Sequence, residues 1–421
     1  MGFDTAVSGI KAATADLNVI GNNIANSSTT GFKASSAEFA DVYATSLLGA
    51  GGNAIGKGVR LSAVTQEFTQ GNISFTDSAL DLAISGGGFF MLSDDGAATY
   101  TRAGNFQVDR EGFIVNTEGL RLQGFQVDSA GDITGQVGDL RLDTSLIDPN
   151  PTGNVDMTAN LDSRHEPPLV PFGGPFDAFA TPPTAPDPDA YNSSTSTTIY
   201  DSLGNPHVLS MYFVKTANAN EWEVHTAVDG VTTSGAQTLT FQSNGQFDPT
   251  TLPVQVSVAG WNPLNDVGGP SGASAQSFVI DLSSSTQFGA DFAVSAINQD
   301  GFTTGQLRGL EIDGTGVAFA RYTNGQARAL GQVALAGFAN PNGLQPLGDT
   351  NWSETFSSGA ATLSGPGTAG LGVLQSGALE DSNVEVTSQL VNMIIAQRNF
   401  QANAQVIQTE DAVTQTVINL R

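Results

Sequence analysis

Residues 3–24 read FDTAVSGIKAATADLNVIGNNI, and this stretch decides the fold because apolar side chains recur in it at alternating spacings of three and four. Such spacing keeps one seam of a helix against a partner helix. The first 24 residues are therefore predicted to form a helix that packs against another. Its apolar seam consists of Phe3, Ala6, Ile10, Ala13, Leu17, Ile20 and Ile24.

A matching helix is predicted near the other end of the chain. Ser382 and Glu385 have the S-x-x-E spacing of a capping box, which marks a helix N-terminus. Beyond Ile407 the apolar stripe shifts to Val413, Val417 and Leu420, so a straight two-helix coil cannot bury all of it. Up to that point the seam keeps heptad spacing, interrupted only by Gln397: Val386, Leu390, Met393, Phe400, Ala404 and Ile407.

Both helices carry few charges. Residues 1–24 contain only Asp4, Lys11 and Asp16, and residues 386–420 contain only Arg398, Glu410 and Asp411. A long helix without a charged face needs neighbours on most sides, which favours polymerisation over a coiled-coil pair in a monomer or small oligomer. The predicted assembly interface consists of Phe3, Ile10, Leu17, Ile20, Ile24, Val386, Leu390, Met393, Phe400 and Ile407.

Composition limits the classes of function. The chain of 421 residues has no cysteine, which excludes disulfides, thiolate metal sites and thiol nucleophiles. Its net charge of −26 is concentrated in residues 142–307, which contain 17 acidic residues and two basic ones. Nucleic acid and anionic membranes are therefore poor partners. No run of 18 apolar residues predicts membrane insertion, and no cleavable secretory signal is expected.

The chain between the helices is rich in glycine and patterned as short strands separated by turns, which indicates sandwich or barrel-like β domains. Ten of the 18 prolines lie between Pro149 and Pro188 and mark a boundary. The pattern of the first β region returns after Asp300, which indicates that the middle unit is inserted into it. The predicted domains are a helical coiled-coil domain (1–24 and 379–421), a connector with a mobile glycine-rich loop (25–71), a first β domain (72–144 and 305–378) and an inserted acidic outer β domain (145–304). The expected fold class is thus mainly β, nested and multidomain, with two β domains above the terminal α-helical pair.

Three segments carry a family pattern. The first contains Asn22, Asn23 and Asn26, followed by Gly31 and Phe32. The second contains Gly88, Phe89 and Arg102, and the third contains Arg398 and Asn403. Together they resemble the bacterial flagellar axial family of rod and hook proteins. Chain length and the internal segment DSLGNP at 201–206 favour the hook members over the shorter rods.

This resemblance implies an extracellular structural subunit of the flagellar hook that assembles with many copies of itself. The polymer would be a curved, flexible tube that acts as a universal joint between rod and filament. The resemblance also implies rod, hook cap and hook–filament junction proteins as partners, and unfolded export through the flagellar type III apparatus. Because the sequence has no nucleophile elbow, no clustered histidines and no cysteine, we predict no enzymatic activity and no cofactor. The alternatives are a distal rod or other axial protein and, from another class, a secreted β-rich adhesin with a coiled-coil stalk.

Several motifs offer other chemistry. The stretch Gly51 to Lys57 fits G-x-x-x-x-G-K, but Gly58 replaces the Ser or Thr that would bind magnesium. The three histidines, at 165, 207 and 225, lack metal-ligand spacing and are predicted to be surface or packing residues. Arg102 and Arg398 are isolated cations, each predicted to pair with a carboxylate either within the chain or across a subunit interface.

Overall fold

The computed structural model describes residues 2–42, 56–94, 96–128, 131–143, 145–248 and 253–419. The predicted glycine-rich loop and most of the Gly51 to Lys57 motif lie outside these residues. Two compact units are present: unit 1 is Met1–Thr144, Arg308–Arg321 and Ala327–Arg421, and unit 2 is Ser145–Leu307 and Tyr322–Gln326. The finer predicted division into helical, connector and first β domains stays a prediction.

The elements that precede unit 2 begin with a long helix. In chain order they are α1 (Gly2–Ala25), β1 (Ser35–Asp41), β2 (Val59–Gln66), β3 (Ile73–Phe75), β4 (Leu82–Ser85), β5 (Phe89–Asp94), β6 (Ala97–Thr101), β7 (Gln107–Val108), β8 (Ile114–Val115), β9 (Arg121–Val127) and β10 (Ile133–Asp139).

Unit 2 is built from strands with one short 3₁₀ turn at Pro188–Ala190. Its strands are β11 (Asn154–Asp162), β12 (Ser193–Tyr200), β13 (Pro206–Lys215), β14 (Glu221–Val228), β15 (Val231–Thr232), β16 (Gln237–Thr240), β17 (Gln255–Trp261), β18 (Gln276–Asp281), β19 (Thr286–Phe288) and β20 (Ala293–Gln299).

The chain then returns to unit 1 and ends in the second long helix, with a 3₁₀ turn at Pro341–Gly343 on the way. These elements are β21 (Leu307–Ile312), β22 (Val317–Tyr322), β23 (Ala327–Val333), β24 (Leu335–Gly337), β25 (Gln345–Gly348), β26 (Asn351–Ser353), β27 (Thr362–Ser364), β28 (Val373–Ser376), β29 (Ala378–Glu380) and α2 (Val386–Asn419).

Unit 1 is closed by pairing between strands that flank unit 2 in sequence. Antiparallel pairs join β23 to β9, β24 to β5, β26 to β6, β28 to β4 and β29 to β3. Leu82, Phe90, Leu122 and Leu335 lie fully buried in the core between these strands. A second, aromatic cluster contains Phe89, Tyr100 and Trp352.

Unit 2 is a sandwich of two sheets. One sheet has the order β17-β18-β11-β19, with β20 also paired to β11, and the other has β12-β13-β14-β15, with β16 paired to β14. Alternate residues of β13 and β14, such as Met211, Phe213 and Trp222, are buried against the opposite sheet. This alternation is expected when one face of a strand is in the core.

The predicted fold class is confirmed, because the chain is mainly β and its terminal helices pack together. The capping-box prediction is wrong. The helix α2 begins at Val386, and the Ser382 hydroxyl accepts a hydrogen bond from the Val384 amide at 3.3 Å. The reason is that Asn383 is held elsewhere: its Oδ1 accepts from the Ala34 amide at 2.7 Å, which keeps this segment extended.

Candidate assembly site at the terminal helices

The two terminal helices approach closely through small side chains. Ala6 and Ala13 of α1 and Ala396 of α2 are all buried. A Cβ atom added to Gly9 would lie 2.5 Å from Oδ1 of Asn403, so the absence of a side chain at Gly9 makes room for that amide. Asn403 in turn donates a hydrogen bond to the Asn399 carbonyl at 2.8 Å. The family-motif residue Asn403 therefore fits a specific gap in α1.

The face of α2 toward α1 differs from the predicted seam. The residues on this face that are buried or half-buried are Gln389, Met393, Ala396, Asn403, Ala404 and Ile407. Gln389 accepts a hydrogen bond from Nδ2 of the buried Asn23 at 3.4 Å. The predicted apolar seam omitted both Gln389 and Ala396, because a polar residue and a small one carry little weight in an apolar pattern.

The predicted interface residues divide into two groups. Ile20 is buried, and Ile10, Leu17, Ile24, Met393 and Ile407 are half-buried. Phe3, Val386, Leu390 and Phe400 are exposed. The structure of one chain does not place either group in contact with another copy, so their role in assembly stays a prediction.

A second apolar stripe runs along an exposed side of α2. Its exposed members Val391, Ile395, Val406 and Val413 are 53%, 50%, 43% and 58% accessible. Their spacings of four, 11 and seven are those of heptad seam positions, which align on one side of a helix. A row of exposed apolar side chains of this kind marks a candidate interaction site.

Unit 1 contains a buried cluster of three charged side chains, Lys33, Arg102 and Glu380. Glu380, the last residue of β29, has no exposed side-chain surface. Its Oε1 accepts hydrogen bonds from Lys33 Nζ at 2.7 Å and from the Gly71 amide at 2.9 Å. Its Oε2 accepts from Arg102 at 3.1 Å. One carboxylate thus pairs with two cations in a buried site, which leaves the cluster with one net positive charge.

The cations of this cluster are further held by backbone carbonyls. Lys33 donates to the Thr69 carbonyl at 2.7 Å, and Arg102 donates to the Gly86 carbonyl at 2.8 Å. Burial lowers the pKa of Lys33 and that of Arg102, and Glu380 opposes the shift in both. Glu380 therefore offsets the cost of burying both cations.

The cluster explains part of the family motif that follows α1. Gly31 donates its amide to the Glu380 carbonyl at 2.8 Å and has φ = +70°. A Cβ atom there would lie 2.5 Å from the Ala103 amide nitrogen, so only glycine fits. Lys33 and Glu380 thereby join the segment after α1 to the segment before α2, and Arg102 joins both to the β region of unit 1.

Asparagines hold the end of α1 in place. Asn23 is buried, with Nδ2 donating to the Ser35 carbonyl at 2.7 Å and Oδ1 accepting from the Ser35 amide at 2.9 Å. Asn26 donates to Oδ1 of Asn22 at 2.6 Å. Asn22 and Phe32 line one cavity of about 510 Å³ in unit 1. These contacts fix where α1 stops and how β1 leaves it.

The remaining motif residues have different environments. Gly88 has φ = +117°, and Phe89 packs edge-to-face on Trp352 with ring centroids 5.7 Å apart. The Arg102 guanidinium lies 5.4 Å from the Phe89 ring centroid. Arg102 thus pairs within the chain, which was one of the two predicted possibilities. Arg398 is exposed and forms no salt bridge with any residue that the structure describes.

Neither described helix is long and apolar enough to cross a membrane. In the same described ranges, no three His, Cys, Asp or Glu side chains are grouped to hold a metal ion.

The terminal helices, the ion cluster between their bases and the nested β units define a flagellar axial protein, and comparisons with known families agree. Residues 3–33 match the flagella basal body rod protein model, and residues 375–420 match the flagellar basal body rod FlgEFG protein C-terminal model. Residues 83–157 match the flagellar hook protein FlgE/F/G D1 domain, and residues 160–302 match the flagellar basal body protein FlaE D2 domain. The chain belongs to the flagellar hook protein family.

Full-length relatives carry that assignment. The chain is 39% identical over 430 residues to the flagellar hook protein FlgE of Escherichia coli (strain K12), with 100% of both chains covered. It is 35% identical over 455 residues to the flagellar hook protein FlgE of Borreliella burgdorferi, covering 99% of this chain and 98% of the relative.

Among solved structures, the Helicobacter pylori flagellar hook protein FlgE2 has a TM-score of 0.51 at 14% identity, covering 73% of this chain and 100% of that one. At this identity the match supports the fold alone. The predicted hook family and flagellar location are confirmed, and the distal-rod and adhesin alternatives are not favoured. The family is one of structural, polymeric flagellar components.

Proposed function

We propose that this chain is the building unit of a flagellar hook, which polymerises into a curved, flexible tube and transmits torque from the rod to the filament. The observation that carries the proposal is the second apolar stripe of α2, left exposed in a chain whose family is polymeric. Neighbouring copies would cover it, since stacked helices can bury apolar sides that one hairpin cannot.

The exposed residues of the predicted interface belong to the same surface of contact between copies. Phe3, Val386, Leu390 and Phe400 would pack against helices of neighbouring subunits, together with the stripe. Ile10, Leu17, Ile20, Ile24, Met393 and Ile407 would mainly hold α1 and α2 to each other. In this proposal, the contacts between α1 and α2 stabilise each subunit, and the exposed residues join one subunit to the next.

Bending would depend on the acidic unit. Residues 142–307 have a net charge of −15, so contacts between copies of unit 2 would be polar and hydrated. Such contacts exchange at low cost, whereas apolar contacts between helices persist. Rod, hook cap and hook–filament junction proteins and the export apparatus are the partners we propose. We propose no cofactor and no catalytic role.

The test is negative-stain electron microscopy of the full chain left to self-associate. We compare Val391→Asp, which puts a charge on the second stripe, with Gln401→Asp, which puts the same charge on an exposed polar position of the same helix. The parent chain and Gln401→Asp should form curved tubes, and Val391→Asp should stay monomeric with unchanged circular dichroism. Tubes from Val391→Asp would contradict the role of the stripe, and small closed oligomers from the parent chain would contradict the polymer itself.

A second experiment separates the two roles. Deleting residues 145–304 should leave polymerisation intact and change the curvature or stiffness of the tube. Loss of all polymer from a deleted chain that still shows the helical signal would reject the division between joining helices and a bending outer unit.

A further inference from the structure

His207 is held between two carboxylates inside unit 2. It is the second residue of β13 and is only 5% exposed. Its Nδ1 lies 2.6 Å from Oδ2 of Asp229, and its Nε2 lies 3.4 Å from Oδ2 of Asp201, a side chain with no exposed surface. Only the charged imidazolium has an N–H on both nitrogens, so only this form donates to both carboxylates.

The surroundings of the ring otherwise carry no charge. Trp261, from β17 in the opposite sheet, packs edge-to-face on it with ring centroids 4.9 Å apart. Ile199 of β12 is its partner across the strand pair. Among the described residues, Asp201 and Asp229 are therefore the charged groups in contact with the imidazole. Burial alone lowers the pKa of His207, but its hydrogen bonds and attraction to the two aspartates outweigh burial, and the pKa is raised.

Asp201 also shapes the turn that follows β12. Its Oδ1 accepts hydrogen bonds from the Leu203 amide at 2.9 Å and from the Asn205 amide at 2.8 Å, while Oδ2 accepts from Asn205 Nδ2 at 2.9 Å. On the other side of the ring, Oδ1 of Asp229 accepts from the Val208 amide at 2.9 Å. The imidazole thus connects the turn after β12 to the turn after β14.

The tip of the first turn rests on the base of unit 2. Gly204 has φ = +81°, and a Cβ atom there would lie 2.8 Å from Pro149 Cβ and 3.3 Å from Thr303 Cα. Pro149 and Thr303 belong to the two segments by which the chain enters and leaves unit 2. A change in the conformation of the turn would therefore affect the two segments by which the chain enters and leaves unit 2.

We propose that His207 is a pH-sensitive clamp, which in its charged form fixes the turn 201–205 against the entering and leaving segments of unit 2. Loss of the proton leaves one donor for two carboxylates. One aspartate then faces an imidazole lone pair in a buried site, which is unfavourable. The turn and the segments beneath it loosen as a consequence, independently of whether the chain is assembled.

The direction of the pH effect follows from the raised pKa. Stabilisation of unit 2 by His207 is fully present below the pKa of unfolded histidine, about 6.5, and is lost as pH rises through the higher folded value. His225 in the same unit behaves oppositely: burial lowers its pKa despite the nearby Glu223. Its contribution is therefore lost as pH falls, which makes His225 a suitable control.

The experiment uses the full chain labelled with ¹³C at histidine Cε1, in which three signals are expected. Each signal is assigned with one of His165→Gln, His207→Gln and His225→Gln. The His207 signal should titrate above the about 6.5 of an unperturbed histidine. We also measure hydrogen exchange of the Leu203 and Asn205 amides, corrected for intrinsic base catalysis. As pH rises through the titration of His207, their protection should fall about tenfold for each unit by which the pKa of His207 is raised in the folded chain.

Variants make the result decisive. His207→Gln keeps a donor but cannot titrate, so the pH dependence of protection should vanish, whereas His225→Gln should retain it. If His207→Gln fails to fold, Asp229→Asn replaces it and should move the His207 titration to lower pH. The clamp is rejected if His207 titrates at or below about 6.5, or if protection of the turn is unchanged across the titration.

Discussion

Lys33 and Glu380 are 347 positions apart in the sequence, yet Nζ of one lies 2.7 Å from Oε1 of the other with neither side chain exposed. This salt bridge brings together the segment that follows α1 and the segment that precedes α2. Because Arg102 shares the same carboxylate, the two chain ends and the β region of unit 1 meet at a single buried charge.

Replacing that charge should be costly. Glu380→Gln leaves two cations buried with no anion, and we expect unit 1 to lose about 3–5 kcal/mol of unfolding free energy. In calorimetry of the unassembled chain, the transition of unit 1 should move to lower temperature while that of unit 2 stays. Glu385→Gln, at an exposed position five residues on, is the matched control and should move neither. A Glu380→Gln chain as stable as the parent would mean that the carboxylate is not needed.

Removing one cation of the cluster should destabilise the protein less than removing the anion. Lys33→Met removes one positive charge and leaves the Glu380–Arg102 pair balanced, so its effect on the free energy of unfolding should be smaller than that of Glu380→Gln. Urea denaturation of both variants gives the comparison. The opposite order would show that lysine packing, rather than charge balance, dominates this site.

Gly9 should be less tolerant than Gly21, although both lie in α1. Alanine at Gly9 would come within 2.5 Å of the Asn403 amide and displace it, and we expect this overpacking to offset the gain in helix propensity, so that Gly9→Ala is about 1 kcal/mol less stable than Gly21→Ala. Nothing lies within 4 Å of a Cβ on Gly21, so Gly21→Ala should stabilise the helix by about 0.5–1 kcal/mol. Adding Asn403→Ala to Gly9→Ala should restore part of the loss. Equal melting temperatures for the two glycine variants would argue against the close helix contact.

Gly31 tests the backbone path behind α1. An alanine there adopts a left-handed conformation and also meets the Ala103 amide, and backbone cannot move aside as a side chain can. Gly119 has a similar φ of +87° with nothing within 4 Å of an added Cβ, so Gly119→Ala measures the conformational cost alone, about 1–2 kcal/mol. Gly31→Ala should exceed it in thermal unfolding, and equality of the two would remove the steric argument.

Tyr100 should keep its proton to unusually high pH. Its hydroxyl donates to Oε2 of Glu354 at 3.2 Å. Burial, with added repulsion from Glu354, raises its pKa to about 12. Because the neutral form is favoured in the folded chain, this contribution to stability is present below about pH 10 and is lost as pH rises toward 12. Ultraviolet titration of the six tyrosines should show one late step that Tyr100→Phe abolishes. A late step that survives in Tyr100→Phe would assign it to another residue.

The helices were predictable because their signals are local. The alternating spacing of three and four in residues 3–24 needs no knowledge of distant parts, and α1 indeed ends at Ala25. The start of α2 was not predictable from Ser382 and Glu385, because Asn383 is bound to a residue near the other end of the chain. Such a long-range contact overrides the local sequence preference for a helix N-cap.

The buried charged residues were also hard to predict from local sequence. Arg102 attracted attention as an isolated cation, but nothing local identifies Glu380 as its partner, since strand pairing between β29 and β3 brings it there. His207 gave even less signal, because neither Asp201 nor Asp229 stands at metal-ligand spacing from it. Their convergence depends on the order of strands in unit 2.

The pairing of β29 with β3 sets an order of events in time. A ribosome or an export channel that delivers the chain from its N-terminus presents Ile73–Phe75 long before Ala378–Glu380, so the front half of unit 1 waits for partners some 300 residues behind it. Residues 145–307 are nearly contiguous, so unit 2 can complete almost all of its core earlier. Contacts between such distant segments form slowly. Unit 1 therefore stays incomplete until nearly the last residues of the chain arrive.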